Sequence, residues 1–273
     1  MSNEQSLAPI STVLAGTAHV LIDSVGMVYT GTQRSLTALS DINLAVRHGE
    51  FVSIIGPSGC GKSTLLRILG GLQTPSSGRV LIDGRAPREA QREKQIGFVF
   101  QDPSLMPWRT VIENVRLPLQ VNKRRVKGDP ERLVDLVGLT DFSRYYPHQL
   151  SGGMQQRVAL ARSFVTTPSL LLMDEPFGAL DEITRAAMRY ELLRVWRSEL
   201  AASGCTVVFV THSIAEAVLL SDRVVVMTPQ PGRIAEVIDI DLPRPRPEEI
   251  EEEEPFLVYT RRLRSLLRGS SPL

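Results

Sequence analysis

Apolar and polar residues alternate over residues 20–28 and 42–46, the period-two pattern of half-buried strands. Residues 50–56 break that pattern with a short apolar run that ends at Gly56, and residues 62–69 then carry apolar side chains at helical spacing until Gly70 and Gly71 close the helix. Further strands are predicted at 79–83 and 95–100. After Gln101 the pattern turns helical, around 111–119, 130–137 and 154–164. Strand spacing returns at 170–174. It is followed by a helix at 182–199, a strand at 205–210, a short helix at 214–220 and strands at 223–227 and 234–240. Strands that alternate with helices predict an α/β fold with a mostly parallel sheet. The first strands form an N-terminal antiparallel β region, and the block at about 102–165 is a helical subdomain inserted in the core.

The ends of the chain have a different texture. Residues 1–18 are small and polar without periodicity, which predicts a flexible tail ahead of a domain over 19–240. In 241–273, Pro243, Pro245 and Pro247 predict a stiff linker. Next come the acids Glu248, Glu249 and Glu251 to Glu254, expected to be solvated. In the amphipathic helix that follows, Phe256, Tyr259, Leu263 and Leu266 share one face. Acidic residues before basic ones suit the helix dipole, so a docked helix is expected.

Composition narrows the function. The chain has 273 residues, 42% of them hydrophobic, enough for one large domain or a core with a subdomain. A net charge of +1 gives no electrostatic case for a nucleic-acid partner. The two cysteines, Cys60 and Cys205, have no metal-ligand spacing and fit a reducing compartment. No apolar run approaches the roughly 18 residues of a membrane span, so any membrane role must act through a partner. His19, His48 and His148 stand in no recognisable context and are expected at the surface or in packing.

Three local patterns carry chemistry. Gly56-Pro57-Ser58-Gly59-Cys60-Gly61-Lys62-Ser63, followed by Thr64, matches the phosphate-binding loop. Its backbone N–H groups are expected to curl round phosphates, Lys62 to neutralise the β/γ charge and Ser63 to reach Mg²⁺. This places the α/β fold in the P-loop NTPase class and implies ATP and Mg²⁺ as ligands. The apolar strand at 170–173 leads into Asp174-Glu175, which puts a carboxylate where ligands bind in such sheets. Asp174 is expected to hold Mg²⁺ and Glu175 to act as general base toward the attacking water. Residues 150–157, Leu-Ser-Gly-Gly-Met-Gln-Gln-Arg, place a hydroxyl and open backbone N–H groups at a helix N-terminus, a second anion-binding element on one chain.

Together these patterns resemble the nucleotide-binding subunit of an ABC transporter, over roughly residues 19–240. The resemblance implies that Ser151, Gly152, Gly153 and Gln155 serve the nucleotide held by the P-loop of a second copy, in a head-to-tail dimer that sandwiches ATP. It implies an adenine-stacking role for Tyr29, a Mg²⁺- and water-sensing role for Gln101, a dimer-interface role for Asp181 after Ala179-Leu180, and γ-phosphate contact for His212. Ser213 departs from the family, where many members carry Asp, and puts one supporting hydrogen bond in doubt. Pro107-Trp108-Arg109-Thr110-Val111, Tyr146-Pro147-His148-Gln149-Leu150 and Pro231-Gly232-Arg233-Ile234 look like importers of the nitrate, sulfonate and taurine group. Such a subunit works at the cytoplasmic face of the membrane with two permease subunits and, indirectly, a solute-binding protein. Trp108 admits two readings, a permease-docking contact or a buried anchor of the helical block. The rival function is a soluble ABC ATPase acting on a macromolecular complex. The block from Gln101 to Ser151 shows no sustained heptads of the kind DNA-repair members carry.

Overall fold

The computed structural model describes residues 18–31, 35–121, 128–196 and 204–269. Except for its last residue, the tail expected over 1–18 lies outside the described residues, as do residues 197–199 of the expected long helix.

Two sheets organise the chain. The first is antiparallel, with β1 (Ala18–Thr30) between β2 (Ser35–Arg47) and β4 (Ser77–Ile82). The second has six strands in the order β5 (Ile96–Val99), β6 (Leu170–Asp174), β7 (Thr206–Val210), β3 (Phe51–Ile55), β8 (Arg223–Met227) and β9 (Ile234–Asp239). All its pairings are parallel except β8 with β9. β3 and β7 are buried at every residue, which is why they read as nearly continuous apolar runs with only Ser53 and Thr206 polar.

The faces of the six-stranded sheet explain the two cores. Phe51, Leu171, Met173, Val207 and Phe209 point to one face. There they meet α3 (Val111–Val121), α4 (Pro130–Leu136), α5 (Gly152–Phe164) and α6 (Glu182–Val195) through Val115, Val134, Phe164, Leu192 and their neighbours. Their alternates Val52, Ile54, Leu170, Leu172 and Val208 point the other way. They close over α1 (Lys62–Leu69), whose Leu65, Leu66, Ile68 and Leu69 also meet Val20, Ile22 and Ile42 of the antiparallel sheet. α1 is thus clamped between two sheets, and the loop ahead of it is fixed from both sides. The short helix α2 (Pro87–Arg92) was not legible as a periodic segment; Pro87 starts it at the first helical position.

The proline segment departs from expectation. It is no free spacer but lies docked along the core. Arg246 is 5% exposed, and its guanidinium donates to the carbonyls of Val218, Leu219 and Ser221 at 2.8–3.0 Å and of Leu242 at 3.1 Å. These carbonyls include the open C-terminal end of α7 (Ile214–Leu220), which an arginine fork satisfies. Burial pushes Arg246 down to about 10, still cationic at neutral pH. Arg244 stacks 4.4 Å over Trp196 and pairs with Asp222 at 2.8 Å. Beyond it, α8 (Glu254–Gly269) buries Phe256 and Leu263 in a cluster with Ala217, Val218 and Leu219 of α7. The acidic run is not wholly solvated either: Glu251 accepts from the Tyr190 hydroxyl at 2.7 Å and lies 3.5 Å from Arg189.

Candidate active site

The loop between β3 and α1 follows from its residues. Gly61 caps α1 at φ 101°, a left-handed conformation that a side chain would strain, and a Cβ there would meet Leu39 Cδ2 at 2.6 Å. The N–H groups of the first turn of α1 have no carbonyl behind them within the helix and face outward as donors. The Lys62 Nζ folds back over the loop and donates to the Gly56 carbonyl at 2.9 Å and the Pro57 carbonyl at 3.2 Å. Cys60 is buried in the same loop, and burial pushes its thiol up, so it is no nucleophile.

Parallel pairing brings the acidic pair to this loop. β6 ends at Asp174, whose Oδ1 accepts from the Ser63 hydroxyl at 2.8 Å. Burial pushes the Asp174 carboxyl above its ordinary value; the Ser63 bond opposes this and the charge of Glu175 adds to it. Glu175 takes a left-handed backbone, φ 45°, while its N–H still donates to the Val210 carbonyl at 2.9 Å. A non-glycine residue in that region stores strain, as active sites often do. The Glu175 carboxylate meets His212 Nδ1 at 3.3 Å. Gln101 reaches the same turn, with its Nε2 3.2 Å from where a Cβ on Gly178 would stand. The Tyr29 hydroxyl contacts Thr64 Oγ1 at 3.3 Å and accepts from Gln73 Nε2 at 3.0 Å, which fixes a partly exposed ring beside the loop. Gly56 to Thr64, Tyr29, Gln101, Asp174, Glu175 and His212 therefore form one constellation.

The residues at 151–155 sit elsewhere. Ser151 caps α5, and its Oγ accepts from the Met154 N–H at 3.3 Å. Ser151 and Gly152 are exposed. Gly153 has no room for a side chain, because a Cβ would lie 2.6 Å from Thr184 Cγ2 on α6. Gln155 turns inward and donates to the Pro147 carbonyl at 3.0 Å, holding the turn before Ser151. Among the described residues no hydrogen bond joins 150–157 to the phosphate loop. Asp181 is exposed and caps α6 through the Thr184 N–H at 3.0 Å, which holds its carboxyl below the usual range.

Several positioning residues escaped the sequence reading. Buried Glu216 accepts from the Thr211 hydroxyl, and Thr211 Oγ1 accepts from the Ser213 N–H at 2.9 Å, so both flanks of His212 are pinned. Ser213 itself caps α7 through the Glu216 N–H at 3.4 Å, a role for the departure from Asp. Asn114, fully buried, accepts from the Met106 N–H and donates to the Arg109 and Thr110 carbonyls. It holds out Trp108, which is 71% exposed, so the reading of Trp108 as a buried anchor is corrected. Arg162 of α5 donates to the Pro103 and Ser104 carbonyls at 2.6 and 2.9 Å and ties that loop to the helix of Ser151. The Ser213–Glu216 cap has a local signature, Ser three residues before Glu, but nothing in local spacing pairs Arg162 with Pro103, 59 residues away.

Comparison with known proteins agrees with this geometry. The family described as ABC transporter matches residues 39–178. An aliphatic sulfonates import ATP-binding protein of Bacillus cereus is 44% identical over 83% of this chain and 88% of its own. A nitrate import ATP-binding protein of Synechocystis is 42% identical over 92% of this chain and 96% of its own. Among solved structures, a dimeric ATP-binding cassette in a post-hydrolysis state, bound to ADP and Pi, superposes with a TM-score of 0.70. It is 34% identical and covers 82% of this chain and 99% of that one.

Proposed function

The chain belongs to the ABC transporter family as one of its ATP-binding, ATP-hydrolysing subunits, and from that premise we propose that it energises import of a small anion or organic solute, of the nitrate, sulfonate or taurine kind, through partner permeases at the cytoplasmic face of the membrane. The observation that carries this reading is the separation of two phosphate-competent helix N-termini on one chain. One, at Gly61–Thr64, is backed by Asp174, Glu175 and His212; the other begins at the exposed Ser151 and Gly152, and the first turn of its helix carries no acid. A second copy placed head to tail would complete each half-site.

In this reading the chain's residues divide the work. Lys62 and the N–H groups after Gly61 hold the phosphates, and Tyr29 flanks the base. The Ser63 and Asp174 oxygens, 2.8 Å apart, suit a hard dication, and Gln101 lies on the turn beside them. Mg²⁺, when bound there, neutralises charge on the β- and γ-phosphate oxygens. Glu175 takes the proton of the attacking water. His212, pinned by Thr211 and Ser213, and Lys62 stabilise charge on the transferred group. Trp108, presented by Asn114 and linked to the Ser151 helix by Arg162, offers an exposed aromatic for permease docking.

The test is purification of the full chain from its native membrane, followed by reconstitution. A membrane protein should copurify, and one solute of this class with its binding protein should stimulate ATP hydrolysis. Copurification of only ribosomes or DNA would overturn the transporter reading in favour of a soluble ABC ATPase.

A further inference from the structure

At the end of the six-stranded sheet where its central strands β7 and β3 begin, opposite the phosphate loop, three residues at the strand ends of the antiparallel sheet converge. His19 opens β1, His48 follows β2, and Asp83 follows β4. The register forces this, since Val20 pairs with both Val46 and Ile82. The two imidazoles stack at 4.3 Å with planes 12° apart. Asp83 Oδ1 lies 2.9 Å from His48 Nε2, and its Oδ2 lies 3.6 Å from His19 Nε2. All three donor atoms fall within 4.8 Å of one another. Asp83 is held in a left-handed turn at φ 48°, and its N–H donates to the His19 carbonyl at 2.8 Å.

His19 supplies an independent pointer. It is fully buried, and its Nε2 has no hydrogen-bond partner. Its other nitrogen, Nδ1, is engaged at 2.6 Å by Thr206 Oγ1, which also contacts the Arg47 carbonyl at 3.2 Å and accepts from the Gly49 N–H at 3.0 Å. With the Thr206 hydroxyl on Arg47, Nδ1–H donates to Thr206 and Nε2 is a bare lone pair aimed at Asp83. An outer partner on one ring nitrogen that frees the other is the arrangement of metal-ligating histidines.

We propose that His19, His48 and Asp83 bind a divalent transition cation of the Zn²⁺ class, which clips the ends of β1, β2 and β4 together where they meet β7. Two imidazole nitrogens and one carboxylate oxygen are the donor set that such ions prefer over Mg²⁺ or Ca²⁺. Ligands about 2.1 Å from a tetrahedral ion stand roughly 3.4 Å apart; the two His–Asp pairs, at 3.6 and 2.9 Å, bracket that spacing, and the His19–His48 pair lies within 4.8 Å. As the ion enters, the exposed His48 ring turns out of its stack on His19 so that both Nε2 lone pairs meet the ion in their ring planes, its Nε2 proton passes through solvent to Nδ1, and the open side leaves a position for water.

The experiment titrates the chelator-stripped full chain with ZnCl₂ by calorimetry and follows the histidine ring resonances by NMR. One Zn²⁺ per chain should bind and shift the His19 and His48 signals, while MgCl₂ and CaCl₂ leave them in place. His48→Ala and Asp83→Asn should each weaken that binding about 100-fold or more, and Thr206→Val about 10- to 100-fold through the freed His19 ring. ATP hydrolysis should be unchanged in His48→Ala, a surface substitution, which also reports that it folds. Absence of Zn²⁺ uptake by the wild-type chain, or uptake equal in His48→Ala and Asp83→Asn, overturns the proposal.

Discussion

Glu175 shows how much is decided by one residue. Its backbone is left-handed, yet its N–H stays in the ladder with Val210 and its carboxylate reaches His212. The strain aims the side chain away from the sheet and into the site. Glu175→Gln keeps the backbone and the volume but removes the carboxylate proposed as the base. We expect ATP binding to be retained and hydrolysis to fall about 100- to 10,000-fold, read by single-turnover phosphate release. Wild-type turnover would remove Glu175 from that role. Gly153 is decided by contact instead of dihedral. A methyl there meets Thr184 Cγ2 at 2.6 Å, so Gly153→Ala should destabilise the chain by about 1–3 kcal/mol. Thr184→Ser removes the clashing carbon, so the double variant should recover most of the loss in a denaturation cycle. If it recovers none, the close packing of α5 on α6 is not what requires glycine.

At the scale of elements, the phosphate loop and β6 were legible because their signals are local. A nearly continuous apolar run, a glycine cluster and a helix-forming stretch lie in succession, and the parallel sheet does the rest. The partners that aim these elements were not legible. Arg162 meets Pro103, Asn114 meets Met106, and His19 meets His48 and Asp83 only once the strands have paired. The proline segment is the sharpest case. Three prolines predict a stiff linker, but the arginines between them find carbonyls that only the folded α7 exposes. Arg246→Met fills the volume and leaves those carbonyls unpaired, at a cost of about 3 kcal/mol. The urea midpoint should fall with an unchanged slope, and α8 should lose hydrogen-exchange protection before the rest. Arg246→Lys should rescue little, since one ammonium cannot span carbonyls from both α7 and Leu242. Full recovery with lysine would show that charge alone matters there.

For the whole molecule, the question is what closes on the phosphate loop. Its own acids sit behind it, at Asp174 and Glu175, while Ser151 and Gly152 stand exposed at the N-terminus of α5. A related cassette, solved with ADP and Pi, is a dimer. If Ser151 meets a second copy's nucleotide, bulk at this position must block dimerisation and spare nucleotide binding. The test uses the Glu175→Gln background, in which ATP persists. That variant should form a dimer with MgATP by sedimentation. Adding Ser151→Arg should leave it monomeric, while the affinity of the single chain for nucleotide stays within about twofold, well under the tenfold that 1.4 kcal/mol would produce. Ser151→Ala controls for the lost helix cap: it should cost about 1 kcal/mol of stability without the steric block, and so still permit some dimer. Two outcomes point away from the cross-subunit site. Normal dimerisation by Ser151→Arg would mean that the gap Ser151 faces is not the closing interface. Loss of nucleotide binding by the isolated chain would mean that Ser151 serves its own phosphate loop, and the two half-sites would belong to one molecule after all.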